Sequence, residues 1–203
     1  MNNRLSSNMH FWLLTLLLFL LWMAGCGEDD GDESGGGDTS GESDSDSDTA
    51  AGTGTTGELV VTVTTSSTGG QYAPRHLLAI WVENAQGDFI RTLMAYTSNP
   101  AYRGYLSHWD DATSDAGARY DTTDAVSGAT LSSHDTRTAT WDATRFDNGN
   151  LPDGAYSVCM ELTDKNATGN YSCFEFNKGV SNDLASPGDT PSFSDVTLDW
   201  SPR

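Results

Sequence analysis

The strongest constraint on the fold of this chain is a series of short apolar segments that are separated by turn residues. The segments are rich in Val, Ile, Thr and aromatic residues or alternate between apolar and polar positions, as β-strands do. No long segment shows the 3.6-residue period of a helix. The predicted strands are residues 58–65, 76–83, 89–96, 137–141, 155–162, 171–177 and 193–200. About seven short strands of this kind predict an all-β fold, a β-sandwich formed by residues 58–203.

Residues 97–136 interrupt this series with little strand signal. A connection of about 40 residues is far above the usual loop length, and such loops are commonly functional or disordered. This one contains several large side chains, namely Tyr102, Tyr105, Leu106, Trp109 and Tyr120. We therefore expect a long inserted loop that packs on the sandwich, with a helical turn around residues 102–109. Its aromatic residues could alternatively bind a glycan or a protein partner.

The beginning of the chain has the layout of an export signal. A polar stretch with one positive charge, Arg4, precedes an apolar run at residues 11–24, which is too short for a membrane span of roughly 20 residues. Ala24 and Gly25 then lead to Cys26. This order resembles the bacterial lipobox, which implies cleavage after residue 25 and acylation of Cys26. An ordinary secretory signal with an incidental cysteine is the alternative.

An acidic, low-complexity segment follows the signal. Residues 27–57 contain ten acidic residues, no basic residue and no large apolar side chain. Such a segment cannot bury enough surface to offset its ordering entropy, so residues 26–57 are predicted to be a disordered tether. Its root-mean-square span is roughly 30 Å. Binding of calcium or cell wall by its Asp-Ser repeat is an alternative to a purely solvating role.

Charge and targeting together limit the partners of the chain. The net charge is −19, and residues 58–203 carry 19 acidic and nine basic residues, which argues against binding of DNA or RNA. Residues 27 and 28 carry no retention signal that we recognise. The expected location is therefore the cell envelope, with the lipid in the outer membrane of a two-membrane cell and the domain on its periplasmic or surface face.

The two remaining cysteines lie in a predicted hairpin. A loop centred near Asn166 places Cys159 opposite Cys173, and the oxidising envelope favours a disulfide between them, with two free thiols as the alternative. The histidines of the domain, His76, His108 and His134, have no spacing typical of metal ligands. No metal site is expected from the sequence.

Two further motifs carry resemblances. Trp141-Asp142 followed by Pro152-Asp153-Gly154 and Tyr156 resembles a pattern of immunoglobulin-like domains in flagellar hook-capping proteins, which implies an immunoglobulin-like sandwich. The stretch DAVSGAT resembles the acceptor motif of bacterial flavin transferases. That resemblance implies covalent FMN on Thr130, with the rest of the motif formed by Asp124, Ser127, Gly128 and Ala129. Gly128 and Ala129 are expected to let the backbone turn and to let the bulky cofactor approach. The alternative is a loop turn whose hydroxyls bond to the backbone.

The order of landmarks from residue 71 to residue 176 resembles domain-of-unknown-function family 2271, a family of predicted periplasmic proteins. Members often occur beside flavin transferases and reductase-like membrane proteins, which implies a flavin transferase and a membrane reductase as partners. Two functions are therefore expected. The first is a non-enzymatic binding or structural module of the cell envelope. The second is an extracytoplasmic electron carrier with FMN on Thr130.

Overall fold

The computed structural model describes residues 54–97 and 99–203, and the signal peptide, Cys26 and nearly all of the acidic linker lie outside the described residues. Two short helices, a 3₁₀ helix (Pro100–Tyr105) and α1 (Ser107–Asp115), separate β3 from β4. The strands are β1 (Gly57–Thr65), β2 (Leu77–Asn84), β3 (Phe89–Tyr96), β4 (Val126–Gly128), β5 (Thr136–Trp141), β6 (Gly154–Thr163), β7 (Asn170–Lys178), β8 (Asp183–Ala185) and β9 (Phe193–Pro202).

These strands form two sheets. One sheet has four strands in the order β5-β1-β9-β8, and the other has five in the order β4-β3-β2-β6-β7. Neighbouring strands are antiparallel, except that β3 and β4 are parallel. The all-β sandwich that the sequence predicts is confirmed. All seven predicted strands are present, and β4 and β8, of three residues each, are additional.

The core between the sheets consists of alternating positions of the strands. In β1, Leu59, Val61 and Val63 are fully buried, whereas the residues between them are half-buried. Leu198 and Trp200 of β9 face the same core and are also fully buried. Each large apolar side chain removed from water contributes roughly 1.5–3 kcal/mol. The alternation in the sequence therefore records which face of each strand meets the other sheet.

A second apolar layer covers the outer face of the five-stranded sheet. Leu106 and Trp109, at the beginning of α1, are fully buried in a cluster with Leu77, Ala79 and Trp81 of β2. The predicted packing of the long segment on the sandwich, with helical structure near residues 102–109, is confirmed. Because β2 has apolar neighbours on both faces, its apolar residues are consecutive instead of alternating.

The turn that opens β6 serves the scaffold. Gly154 has a φ of +149°, a backbone conformation that residues other than glycine rarely adopt. The Tyr156 hydroxyl donates a hydrogen bond of 2.8 Å to the Pro152 carbonyl. Tyr156 and Val158 are buried in the core between the sheets. This motif thus fixes the entry of β6, as expected from the sequence.

Candidate functional site

A pocket of about 300 Å³ opens where the beginning of β2, the end of β6 and the 3₁₀ helix meet. Leu77 and Thr163, which are paired across β2 and β6, both line it. The volume lies at the lower end of the range for small-molecule sites. We refer to this cavity as the tyrosine pocket, because Tyr72, Tyr102 and Tyr105 line its wall.

The three tyrosines present aromatic surface to the cavity. Tyr72 and Tyr102 are 47% and 43% exposed, and Tyr105 is half-buried. The rings of Tyr102 and Tyr105 are nearly parallel, with centroids 6.3 Å apart. The Tyr72 hydroxyl accepts a hydrogen bond of 2.9 Å from the Asn166 side-chain amide. Such exposed, oriented rings are suited to a flat, partly apolar ligand.

The pocket also carries positive charge on an otherwise acidic domain. Arg75 and Lys165 line it, both are exposed, and neither forms an ion pair within residues 54–97 and 99–203. The carboxylate of the neighbouring Asp164 accepts hydrogen bonds from Ser67, Thr68 and the Gly70 amide. Burial alone raises the pKa of Asp164, but these bonds outweigh it and hold the pKa below its usual value. Asp164 therefore keeps a negative charge that is bonded to residues 67–70, and Arg75 and Lys165 form the positive part of the lining.

A pair of stacked histidines lies beside the pocket. His76, which lines it, stacks on His134 with centroids 4.2 Å apart. His76 Nδ1 lies 3.0 Å from the Pro74 carbonyl, so this nitrogen carries the proton and Nε2 is an acceptor. Nε2 is buried without a hydrogen-bond partner among the described residues. Burial lowers the pKa of His76 to about 4, with a smaller contribution from His134.

The centre of the DAVSGAT motif forms a strand, and Asp124 lies in the turn before it. Val126, Ser127 and Gly128 form β4, which pairs with Met94–Tyr96 of β3 at the edge of the sheet. Thr130 follows β4, is exposed and lines the tyrosine pocket. The next residue, Leu131, exchanges two backbone hydrogen bonds of 3.0 Å with His76. The Thr130 hydroxyl is therefore presented from a backbone that is fixed on both sides.

Gly128 has a different role from the one predicted. The sequence suggested that Gly128 and Ala129 let the backbone turn and let a cofactor approach. Instead, Gly128 is extended in β4, and a Cβ atom at this position would lie 3.1 Å and 3.2 Å from two ring atoms of Tyr96. The missing side chain thus allows β4 to lie against the Tyr96 ring. Ala129 is exposed between β4 and Thr130.

Asp124 is directed away from the tyrosine pocket. It has a φ of +59° and lies 3.6 Å from the guanidinium of Arg91, a buried residue of β3. The same guanidinium donates hydrogen bonds to Thr144 and Asn148. Asp124 and Arg91 line a separate cavity of about 150 Å³. The structure therefore brings Thr130 to the tyrosine pocket and places Asp124 at another site.

A second polar cluster lies on the outer face of the five-stranded sheet, and it includes the predicted Cys159–Cys173 disulfide, which is present. The Tyr171 hydroxyl lies 2.8 Å from the Cys173 sulfur, and its ring stacks on His108 with centroids 4.1 Å apart. Burial, together with the Glu83 and Glu161 carboxylates, raises the pKa of Tyr171 to about 12. The phenol therefore keeps its proton and acts as the donor towards sulfur.

Sequence reasoning missed most of the pocket residues. Tyr72, Arg75 and Lys165 lie in the connections before β2 and after β6, more than eighty residues apart in the chain. Only the antiparallel pairing of β2 with β6 brings these connections to one end of the sheet. One feature of the sequence could have indicated these pocket residues. Two short polar segments with aromatic and basic residues lie beside two strands that were correctly predicted.

Comparison with known proteins identifies one family. The family model described as "Predicted periplasmic protein (DUF2271)" matches residues 58–188. No curated protein and no solved structure matches the chain. The family description agrees with the export that the sequence predicts. In the described part of the chain, no helix has the length and apolar character needed to cross a membrane.

Proposed function

Because the chain belongs to the family of predicted periplasmic proteins DUF2271, we propose that it is a non-enzymatic binding domain of the cell envelope, anchored by a lipid on Cys26. The lipobox-like sequence before Cys26 supports the anchor, and the acidic linker supplies a reach of some tens of ångströms. The lipid belongs to the outer membrane in a two-membrane cell. The folded domain is thereby held near the membrane and free to meet a partner or ligand.

The observation that carries this proposal is the tyrosine pocket. It combines a concave shape, aromatic walls formed by Tyr72, Tyr102 and Tyr105, and the cations Arg75 and Lys165. Apolar walls with a few polar groups that fix orientation are the usual features of a small-ligand site. The chemistry of the lining favours a flat aromatic ligand that carries a negative group.

Covalent FMN on Thr130 is the second candidate function, and the position of Thr130 favours it. The exposed hydroxyl lies in the lining of the same pocket. The residues present fit the group: Thr130 Oγ1 would carry the phosphate as an ester, Arg75 and Lys165 would balance its charge, and the tyrosines would contact the ring. When bound, FMN supplies one- and two-electron transfer, so the domain would act as an electron carrier between a membrane reductase and another envelope component.

One experiment with two arms tests both proposals. In the first arm, the protein expressed without a flavin transferase is titrated with free FMN, and binding is followed by flavin fluorescence anisotropy. We expect saturable binding that weakens about tenfold in Tyr102→Ala, because one wall of the pocket is lost. Leu184→Ala, which removes an exposed apolar side chain of β8 in the other sheet, is the control and should bind as the wild type does.

In the second arm, the full chain is co-expressed with a flavin transferase. The carrier function predicts a yellow protein that fluoresces on a denaturing gel, and Thr130→Ala should abolish this signal. Ser132→Ala removes an exposed hydroxyl just beyond the motif and should keep the signal. A colourless wild-type protein contradicts the carrier function and leaves the binding proposal to the first arm. Absence of saturable FMN binding, or equal binding by Tyr102→Ala, contradicts the pocket as a site for such a ligand.

A further inference from the structure

The polar cluster on the outer face of the five-stranded sheet has a regular geometry. Trp81 of β2 pairs with Cys159 of β6, and Cys159 pairs with Cys173 of β7, so these residues form one row across the sheet. Glu83 lies two residues beyond Trp81 on β2 and therefore faces the same side as this row. The side chains of Glu83, Cys159 and Cys173 converge, although they belong to different strands.

These side chains place three potential ligand atoms close together. A carboxylate oxygen of Glu83 and the two sulfur atoms all lie within 4.8 Å of one another. Cys159 is fully buried, Glu83 is half-buried and Cys173 is exposed. The cluster is thus buried on the side of Cys159 and open to solvent on the side of Cys173.

We propose that reduction of the Cys159–Cys173 disulfide opens a site for a borderline or soft divalent cation, of which Zn²⁺ is the representative, with the two sulfur atoms and the Glu83 carboxylate as its protein ligands. Thiolate and carboxylate are both ligands of Zn²⁺, and three protein ligands leave the fourth tetrahedral position for water. This site is distinct from the tyrosine pocket and does not depend on the function proposed for it.

The chemistry requires a reductant, and its class is a dithiol such as the active site of a thioredoxin-like protein. One thiolate attacks the exposed Cys173 sulfur, the sulfur–sulfur bond breaks, and Cys159 leaves as a thiol after taking up a proton. The second thiol of the reductant then resolves the mixed disulfide and releases Cys173 as a thiol. Two electrons and two protons pass to this chain, and the reductant becomes a disulfide. Cation binding subsequently releases the two thiol protons.

The fold is expected to survive this reduction. The two cysteines lie on strands that are joined by a short hairpin and paired from Gly154–Lys178 to Leu162–Asn170, so their proximity is fixed by the ladder as well as by the disulfide. Cys159 also packs in the apolar cluster beneath α1. Reduction therefore leaves both sulfur atoms beside Glu83.

The surroundings of Glu83 suit a cation. The Trp81 indole nitrogen donates a hydrogen bond of 2.7 Å to one carboxylate oxygen of Glu83, which orients the side chain as outer-shell partners do in metal sites. Among the described residues, neither Glu83 nor Glu161 forms an ion pair with a basic side chain. In the part of the chain that the structure describes, no basic side chain therefore pairs with this carboxylate, and a bound cation would balance its charge and that of the two ionised thiols.

The test uses the full chain in detergent with the substitution Cys26→Ser, so that Cys159 and Cys173 are the only cysteines and the result does not depend on the lipid. The protein is reduced with a phosphine, the reductant is removed without oxygen, and Co²⁺ is added, followed by Zn²⁺. We expect one equivalent of Co²⁺ to produce a thiolate-to-cobalt charge-transfer band and tetrahedral visible absorption, both removed by Zn²⁺. The acidic linker can bind Co²⁺ only through oxygen, so it does not contribute to the thiolate band.

Variants identify the ligands. Cys173→Ser should lose the one-equivalent complex, and Glu83→Gln should weaken it at least tenfold. Glu175→Gln removes an exposed carboxylate two residues from Cys173 on β7 and is the matched control, which should bind as the reduced wild type does. The proposal is overturned by absence of the thiolate band, by equal weakening in Glu83→Gln and Glu175→Gln, by an identical band in the oxidised protein, or by loss of the β-sheet circular dichroism upon reduction.

Discussion

Individual buried polar side chains decide which loops are held to the sheets. Lys178 is almost completely buried, and its ammonium donates hydrogen bonds of 3.1 Å to the Leu151 carbonyl and 2.8 Å to Asp153. Lys178, and to a lesser extent Thr55, lower the pKa of Asp153 to about 2. Arg91 holds the segments before β4 and β6 in the same way. Each residue satisfies several polar groups at once, which is the condition for burying a charge without a large penalty.

Neutral, buried His76 should stabilise the folded state less in mild acid than at neutral pH. The folded-state pKa of His76 is about 4, below the ordinary value of 6.5, so the unfolded chain binds more protons between these values. The contribution of neutral His76 is complete above about pH 6.5 and decreases as the pH falls towards 4. At pH 5 we expect this contribution to be about 2 kcal/mol smaller than at pH 7.5. Glu161 has the opposite effect over this range, because its folded-state pKa is raised to about 7. The contribution of His76 is therefore obtained by comparing the wild type with a variant.

Urea unfolding of the wild type and of His76→Gln at both pH values measures this contribution, because Glu161 titrates in both proteins. His76→Gln retains a donor for the Pro74 carbonyl and should lack about 2 kcal/mol of acid-dependent loss, whereas the exposed His108→Gln should behave as the wild type does. An equal change in unfolding free energy between pH 7.5 and 5 in the wild type and in His76→Gln contradicts the assignment of a neutral, buried His76.

At the scale of elements, α1 depends on a residue of the sheet for its beginning. Leu106 occupies the N-cap and provides no side-chain hydrogen bond, which leaves the first amides of the helix without a local acceptor. Glu161 of β6 fills this role, because its carboxylate accepts a hydrogen bond of 3.1 Å from the Trp109 amide. Burial raises the pKa of Glu161 to about 7, and the amides of α1 oppose that rise. The helix is thereby attached to the outer face of the sheet.

Removal of this acceptor should release the helix. Glu161→Ala leaves buried amides of the first turn unpaired, and such a loss costs about 1–3 kcal/mol. We expect faster amide hydrogen exchange in α1 together with lower global stability. Glu161→Gln keeps an acceptor oxygen and should show a smaller effect. Glu175→Ala, an exposed glutamate on β7, should change neither quantity, and unchanged exchange in Glu161→Ala would contradict the capping role.

At the scale of the whole molecule, the end of the linker is attached to the domain before β1 begins. The Thr55 amide donates a hydrogen bond of 2.7 Å to Asp153, and the Arg203 amide donates one of 2.8 Å to the Thr56 carbonyl. The folded domain therefore includes residues just ahead of residue 58. In the proposed function, the acidic linker begins its reach from this fixed point and leads to the lipid on Cys26.

If a lipid on Cys26 anchors the chain, replacement of Cys26 should abolish labelling of the chain with fatty acid. In cells labelled with a clickable fatty acid, the full chain should become labelled, and its mature N-terminus should have the mass of an acylated cysteine. Cys26→Ser should lose the label, because acylation requires the thiol. Cys173→Ser keeps the lipidation site and should be labelled as the wild type is. An unmodified N-terminal Cys26 in the wild type would refute the anchor.

The sequence by itself determined the long strands, the two-sheet class, the placement of Cys159 opposite Cys173 and the packing of the long inserted segment on the sandwich. These features follow from local causes. Burial on one face imposes a period of two residues, a hairpin loop sets the register of its strands, and a loop rich in aromatic residues needs apolar surface to cover.

Only the tertiary structure decided where chemistry can occur. β4 was not predicted because three residues cannot show a period, and because its partner β3 lies about thirty residues earlier in the chain. The pairing of β2 with β6 joins Tyr72 and Lys165 in one pocket. The pairing of β4 with β3 and the bridge between His76 and Leu131 bring Thr130 to that pocket and leave Asp124 at another cavity. Glu83 meets the disulfide through the pairing of β2 with β6. Contacts between distant strands depend on sheet order and on which faces are covered, and neither is encoded in local periodicity.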